Sequence, residues 1–424
     1  MIDPKLIREN PELVKENYKM RQKPELLTEV DKFVEWDKKW RKYQKEVENL
    51  RKERNVSSKS ISKLKGAEKK EAIVRMKEVN SKLQESEKLA GEAEEKRKFI
   101  LDRLPNLLHD SVPYGKDDED NVEMSKWGKK PKFDFEPLAH HEIIENLNLV
   151  ELERARKVSG ARFYYLKGKL AILEQALIRY AMDVVMENGY EIYSTPTMVR
   201  PDALYGTGFL PTGDEDIYKI KDENLALIGT SEVALGGLYS KEVFIEDELP
   251  MRLAGFSNCY RTEASASNKD DKGIFRVHEF KKVEMFVFSH PDKSWEEQDR
   301  LITVAQKVFQ GLGLHYRLVN ICTGDIGAVA SKKIDIEVWL PGQNRYREVV
   351  SCSNCTDYQA RRLQTKYREK EGSPVKGFVH TLNSTALATT RPMIAILENF
   401  QQKDGSIVIP EVLRKYTGFD KIEP

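Results

Sequence analysis

Cysteine is scarce in this chain, with four residues in 424, at positions 259, 322, 352 and 355. That excludes a disulfide framework as the main source of stability. Cys352-Ser-Asn-Cys355 has the spacing of half a zinc site, but no second Cys pair or HxxxH pattern supplies the other ligands, so these thiols read as buried side chains. Long apolar runs are missing too: none approaches the roughly 18 residues of a membrane helix, and no cleavable apolar leader opens the chain. The expectation is a soluble, cytoplasmic protein in a reducing compartment, with no membrane partner. Net charge is nearly absent, +1 from 70 basic and 69 acidic residues, so overall charge names no partner. Proline is absent between Glu25 and Leu104, which leaves that stretch open to long helices.

Apolar residues fill that stretch at helical spacing. Phe33, Trp36, Trp40, Tyr43, Val47 and Leu50 step by three and four, and the phase continues through Ile61 and Leu64. Ala72, Met76, Val79, Leu83, Ser86, Ala90 and Ala93 repeat it, followed by Ile100 and Leu104. Before them, Asp3-Pro4 opens a short helix within Met1–Arg21. A polar break at Lys65-Gly66 predicts an antiparallel coiled-coil hairpin whose arms, counted from Asp31, reach on the order of 45–50 Å. Folding there sets Trp40 and Tyr43 against Ala90 and Ala93, bulky against small.

Charge is distributed unevenly. Residues 31–103 hold 22 Lys and Arg against 15 Asp and Glu, and Arg51, Lys52, Arg54, Lys59, Lys63, Lys65, Lys69 and Lys70 face only Glu53 and Glu68 across the tip. A basic tip on a long lever suits a phosphate backbone, although a solvated coiled-coil face accounts for the arm's other charges. No base-reading motif is evident.

Beyond the hairpin, Ser111–Pro137 is rich in Pro, Gly and Asp and reads as the linker and entry to a second domain, with domains at 1–110 and 111–424. Ala171–Asn188 has helical periodicity, Gly189 stops it, and Tyr190–Tyr193 is strand-like. Two further strands flank a polar loop between Arg261 and Phe280. Arg261 and Glu263, two apart near a strand end, should leave one face, as should Arg276, His278, Phe280, Lys282 and Glu284 on the return strand. A guanidinium there can hold a phosphate and a carboxylate can accept from an amine. Asp335 and Glu337 alternate with Ile334, Ile336 and Val338, an acid-lined face of the kind that holds Mg²⁺ with nucleotide phosphates. Gly229-Thr230-Ser231-Glu232 follows an apolar strand, and Arg391-Pro392 opens a helix.

Arg261-Thr-Glu263, the loop, Phe275-Arg-Val-His-Glu-Phe280 and Glu284 resemble motif 2 of class II aminoacyl-tRNA synthetases, in the form carried by seryl-tRNA synthetases. Residues 171–196 resemble motif 1, and residues 381–410 motif 3. The resemblance runs from the first helix to the C-terminus. It implies an α+β protein: the helical hairpin joined to a mainly antiparallel sheet of six to eight strands flanked by helices, acting as a homodimer. It implies ATP-dependent ligation of serine to tRNA(Ser), with tRNA(Sec) left open as a second acceptor, and Mg²⁺ as cofactor.

Carried over residue by residue, it assigns catalysis to Arg261, Glu348 and Arg391. Serine would be bound by Thr230, Glu232, Arg261, Glu284, Asn383 and Thr385, with Glu284 and Thr385 at the hydroxyl. ATP would meet Arg261, Thr262, Glu263, Val277, Phe280, Glu348, Val349, Val350, Ser351 and Arg391, and the metal Glu348 and Ser351. Arg51, Lys52, Arg54, Lys59 and Lys63 would contact tRNA, by shape rather than by base. Many bacterial relatives carry Gly-Ser-Gly where this chain has Ser384-Thr385-Ala386; Thr385 keeps the hydroxyl. Two rival readings, a carrier-protein aminoacylating relative and a non-enzymatic coiled-coil protein, are disfavoured by the basic hairpin and by the presence of Arg261, Glu284, Glu348 and Arg391.

Overall fold

The computed structural model describes residues 1–62, 64–264 and 272–424. The chain falls into two compact units, Met1–Leu107 and Leu108–Pro424.

The first unit opens with two short helices, Pro4–Glu9 and Pro11–Met20, where one was expected. Asp3 caps the first by accepting from the Lys5 amide at 2.7 Å, and each helix takes a proline in its first turn, where no amide donor is needed. Helices α1 (Glu25–Ile61, 37 residues) and α2 (Gly66–Leu101, 36 residues) form the hairpin. At 1.5 Å per residue each spans about 55 Å, longer than expected because α1 begins at Glu25 rather than Asp31. Val47, Leu83 and Ala90 form a seam with Tyr43 and Leu50 packed on it, bulky against small as the spacing implies.

Lower in the seam the pattern breaks. Asp37 is buried, accepts from Arg97 Nε at 2.6 Å and has Arg8 at 3.5 Å, while the Arg97 guanidinium lies 4.6 Å from the Trp40 ring centroid. Trp36 is displaced to a half-buried position between the ammonium groups of Lys39 and Lys96. Removing the carboxylate strands a cation in an apolar seam. Asp37→Ala is therefore expected to destabilise the hairpin by about 3 kcal/mol, measured by urea unfolding of the full chain; a loss below about 1 kcal/mol would show the pair to be dispensable.

In the second unit an eight-stranded sheet is built from β1 (Val122–Trp127), β2 (Glu191–Ser194), β3 (Met251–Tyr260), β4 (Glu279–Ser289), β5 (Tyr316–Asn320), β6 (Lys332–Leu340), β7 (Arg345–Asn354) and β8 (His380–Ala388). Their order is β1-β5-β6-β7-β8-β4-β3-β2, antiparallel throughout except for the β2–β3 pair. Helices α3 (Lys169–Glu187), α5 (Ser294–Gly311) and α6 (Thr390–Asn399) bury their apolar faces against the sheet in one continuous core. The short helix α4 (Glu232–Leu238) packs on β3 and β4.

The stretch read as the linker and entry to the second domain lies within this unit. Leu108 and Val112 pack with Val319, Ile321 and Ile326, and β1 pairs with β5 as an edge strand. All six β1 side chains are exposed, so the short Val122-Glu-Met-Ser125 alternation in its sequence corresponds to no buried face on this edge strand.

Two β-bulges shape the middle of the sheet. Between β6 and β7 the register passes from Ile336↔Val350 to Glu337↔Glu348, leaving Val349 extra. Between β8 and β4 it passes from Thr385↔Glu284 to Leu387↔Val283, leaving Ala386 extra. Residues three apart on an unbroken strand face opposite sides; across these bulges Glu348 and Ser351, and likewise Thr385 and Ala388, share one.

Candidate active site

A cavity of about 290 Å³ opens over the middle of the sheet. Its wall includes Arg261, Glu263, Val277, Phe280, Lys282, Glu348, Val349, Thr385 and Arg391, together with Phe275 and Arg276. Arg261 stands at the mouth, donating to the Gly229 carbonyl at 3.3 Å, with its guanidinium 5.4 Å from the Phe280 centroid. Arg391, in the first turn of α6, donates to the Glu348 carbonyl at 2.7 Å and sits 4.8 Å from the Phe275 centroid. Two arginines and two rings thus frame one slot, a geometry suited to a planar base carrying phosphates.

The expectation that Arg261 and Glu263 leave one strand face is not met. Strand β3 ends at Tyr260, and Glu263 adopts φ 52°, which turns its carboxylate onto Arg276 at 2.9 Å. Thr262 is engaged elsewhere: its hydroxyl donates to the Glu215 carbonyl at 2.7 Å. Val350 points into the core, fully buried, while its neighbour Val349 contributes to the cavity wall. Loop residues 265–271 and Lys63 lie outside the described residues.

The Glu348 carboxyl is pushed up by enclosure but held below the ordinary carboxylate range by Arg391, Lys333, Arg261 and Lys282. Ser351 faces Asp335 across the ladder. Burial pushes Asp335 up to about 8 against the opposing pull of Lys333, and its Oδ1 is buried with no hydrogen-bond partner among the described residues. A carboxylate and a hydroxyl beside an unsatisfied carboxyl oxygen are hard oxygen donors of the kind a Mg²⁺–phosphate complex uses. Among the described residues no three His, Cys, Asp or Glu side chains converge as a self-contained metal cage.

Next to the cavity lies a buried polar cluster. Thr385 Oγ1 donates to Glu284 Oε2 at 3.1 Å, and Lys282 Nζ lies 2.7 Å from that same oxygen. Glu232 Oε1 accepts from Gln359 Nε2 at 2.7 Å and from Asn383 Nδ2 at 3.0 Å, and the Glu232 amide donates to Thr230 Oγ1 at 3.2 Å. The Thr230–Glu232 segment is pressed against the sheet where Gly255 sits opposite Glu284; a Cβ at Gly255 would come within 2.7 Å of Ser231 Cβ. Only glycine leaves room for that approach.

Burial, and then the charge of Glu284, push Glu232 up to about 7, with Gln359, Lys282 and Arg261 opposing. If its carboxylate receives a substrate ammonium, kcat/KM for serine should fall about tenfold per pH unit below 7 and level off above it, and Glu232→Gln should flatten that limb. A wild-type profile flat from pH 5.5 to 8 would remove Glu232 from that role.

Several of these groups were not nominated from the sequence. Lys282 shares a strand face with Phe280 and Glu284, a signal that was present. Gln359 carried none, being 127 residues from the carboxylate it supports. Glu174 on α3 pairs with Lys281 and accepts from Thr389 Oγ1 at 3.1 Å, joining α3, β4 and the start of α6. Cys352 and Cys355 are buried thiols, Cys352 pushed up to about 12 by burial.

Among known proteins, residues 1–108 match the seryl-tRNA synthetase N-terminal domain, and residues 218–400 the class II tRNA synthetase core domain of the G, H, P, S and T enzymes. The serine–tRNA ligase of Thermococcus sibiricus is 46% identical over 100% of this chain and 98% of its own. That of Dictyoglomus turgidum is 43% identical over the full length of both. The Pyrococcus horikoshii seryl-tRNA synthetase solved with ATP superposes with TM-score 0.94 at 44% identity, covering both chains completely. The cytoplasmic Naegleria fowleri enzyme solved with AMP gives 0.87 at 33% identity, over 100% of this chain and 99% of that one.

Proposed function

The chain belongs to the seryl-tRNA synthetases, and from that premise we propose that the cavity is its ATP subsite and the adjoining buried cluster its serine subsite. It is an ATP-dependent serine–tRNA ligase of class II: it activates L-serine to seryl-adenylate, releasing pyrophosphate, and transfers the seryl group to tRNA. The observation that carries the subsite assignment is their junction. Lys282 and Thr385 line the cavity and also hold Glu284, so a carboxylate bound beside the cluster lies next to a phosphate bound in the cavity.

Activation needs no nucleophile from the protein, because the serine carboxylate itself attacks the α-phosphate. In this reading Arg261 spans the two subsites, neutralising the α-phosphate and orienting the attacking carboxylate, while Arg391 takes the terminal phosphate. Phe280 and Val277 bound the base, and Glu232, Thr230 and Asn383 hold the ammonium side of serine. Glu284 and Thr385 meet its hydroxyl. An analogue lacking that hydroxyl leaves buried polar groups unpaired, which is a strong discriminator. Mg²⁺, held with the phosphates by Glu348 and Ser351, would offset charge developing on the leaving pyrophosphate.

The same reading makes the hairpin tip the tRNA contact. Arg51, Lys52, Arg54 and Lys59 are exposed there, with Arg51 also paired to Glu87 at 2.7 Å, a surface pair weak enough to exchange for phosphate. We place the enzyme in the cytoplasm as a homodimer; among the described residues no helix is long and apolar enough to cross a membrane.

Pyrophosphate exchange in the presence of each of the twenty amino acids tests the amino-acid assignment. Serine alone should drive exchange, without tRNA. Exchange driven equally by alanine or threonine would overturn the hydroxyl pocket.

A further inference from the structure

We propose that Lys282 is a specificity-determining positioning residue: a buried cation that holds and aims Glu284 as the acceptor for the serine hydroxyl.

Lys282 is 5% exposed, unusual for a lysine, and it is the only residue on β4 whose ammonium reaches the cluster among those described. Its position follows from strand spacing: two residues before Glu284 on the same face, and opposite Ala388 at the end of the bulged stretch of β8. Nζ and Thr385 Oγ1 converge on Glu284 Oε2 from two strands, fixing the carboxylate's rotation. The cluster otherwise holds two buried carboxylates, Glu284 and Glu232, each 9% exposed or less. Like charges that close in a desolvated site do not both stay ionised without a counter-ion.

The other groups facing them do not replace Lys282. Arg261 is exposed at the mouth and turned to the Gly229 carbonyl. Lys333 is committed to Asp335 at 3.5 Å, and Arg391 to the Glu348 carbonyl. Cys259 on β3 and Cys355 beside Asn383 are buried thiols, raised by burial, and bring no positive charge. Lys282 also weakens the upward push on Glu232, so one side chain serves both carboxylates.

Without it, Glu284 loses one of the two contacts that fix its rotation, and Glu232 loses a cation that opposes its upward shift. A Glu284 free to turn no longer presents a fixed acceptor to the ligand hydroxyl. Binding of the hydroxyl weakens more than binding of the rest of serine, and the preference for serine over alanine declines.

The inference rests on placing Glu284 at the serine hydroxyl, so that premise is tested by itself. Glu284→Gln should lower the serine-over-alanine ratio in pyrophosphate exchange by about a hundredfold; an unchanged ratio would overturn the subsite reading and this inference with it. Given that loss, Lys282→Met is compared with Lys282→Arg. Lys282→Met should raise KM for serine at least about thirtyfold, and at least about tenfold more than it raises KM for ATP, whose cavity the same side chain lines. It should also move the acidic limb of kcat/KM for serine upward by about one pH unit or more, and Lys282→Arg should recover most of both. ATP binding by Lys282→Met, measured by fluorescence titration, reports on folding; should it be lost, the double variant Lys282→Met/Glu284→Gln, which removes the unpaired charge, should restore ATP binding. Serine and ATP KM rising together with an unmoved pH limb, or failure of both variants to bind ATP, would reduce Lys282 to a structural residue and overturn the proposal.

Discussion

Replacing residues 31–103 by a short linker is expected to leave serine-dependent pyrophosphate exchange within about threefold of the intact enzyme and to lower transfer to tRNA by at least about a thousandfold. The hairpin has its own seam of Tyr43, Val47, Leu50, Leu83 and Ala90, and the catalytic unit has its own core, so the deletion removes one without opening the other. Every wall residue of the cavity proposed for ATP and every member of the cluster proposed for serine lies beyond residue 200. The exposed Arg51, Lys52, Arg54 and Lys59 go with the arm. Each phosphate they neutralise contributes roughly one unit to the slope of log affinity against log salt. The intact chain should therefore bind tRNA with a steep salt dependence and the shortened one weakly with a shallow one. A shortened protein that charges tRNA(Ser) normally would show that the arm binds something else; tRNA(Sec) belongs in the same assay as a second acceptor.

Arg261→Ala has the opposite signature. Adenylate formation should drop by about a thousandfold, the scale of removing a preorganised charge from a developing one, with tRNA affinity changed less than about twofold. The guanidinium is held at the mouth by the Gly229 carbonyl and the Phe280 ring, with both proposed subsites in reach. Gly229 adjoins the Thr230–Glu232 segment and Phe280 lies on β4, so the loss should appear in kcat and in both KM values. A variant that lost tRNA binding while still forming adenylate would contradict this placement.

The parts legible in the sequence are those with strong periodicity or with a side chain whose neighbours share its face. The hairpin seam could be read because Trp40 and Val47 on one helix, and Leu83 and Ala90 on the other, stand at heptad spacing, and α3 with β2 because Gly189 punctuates them. Asp37 could not, since a buried charge interrupts the very pattern by which a seam is recognised, and its partner Arg97 lies 60 residues away on the other helix. Strand β1 offers only the four-residue alternation Val122-Glu-Met-Ser125 in a stretch rich in Pro, Gly and Asp, and both of its faces are wet. Glu284 and Thr385 were nominated through resemblance, and only the ladder shows why they meet: they are cross-strand partners. Gln359 and Glu174 act across more than a hundred residues and through tertiary contacts, which no local pattern encodes.

The bulges at Val349 and Ala386 have a consequence for how such a sheet can change. A β-ladder is a parity code: adding or removing one residue normally swaps inside for outside along everything that follows. A bulge absorbs one count, so Glu348 and Ser351 would still share a side if Val349 were gone, as would Thr385 and Ala388 without Ala386. These positions beside the reacting groups are therefore where the strands can gain or lose a residue without scrambling the core, altering only the curvature and lining of the cavity. The chemistry of this scaffold is open to revision by changes of length at the two places where changes of length do least harm to folding.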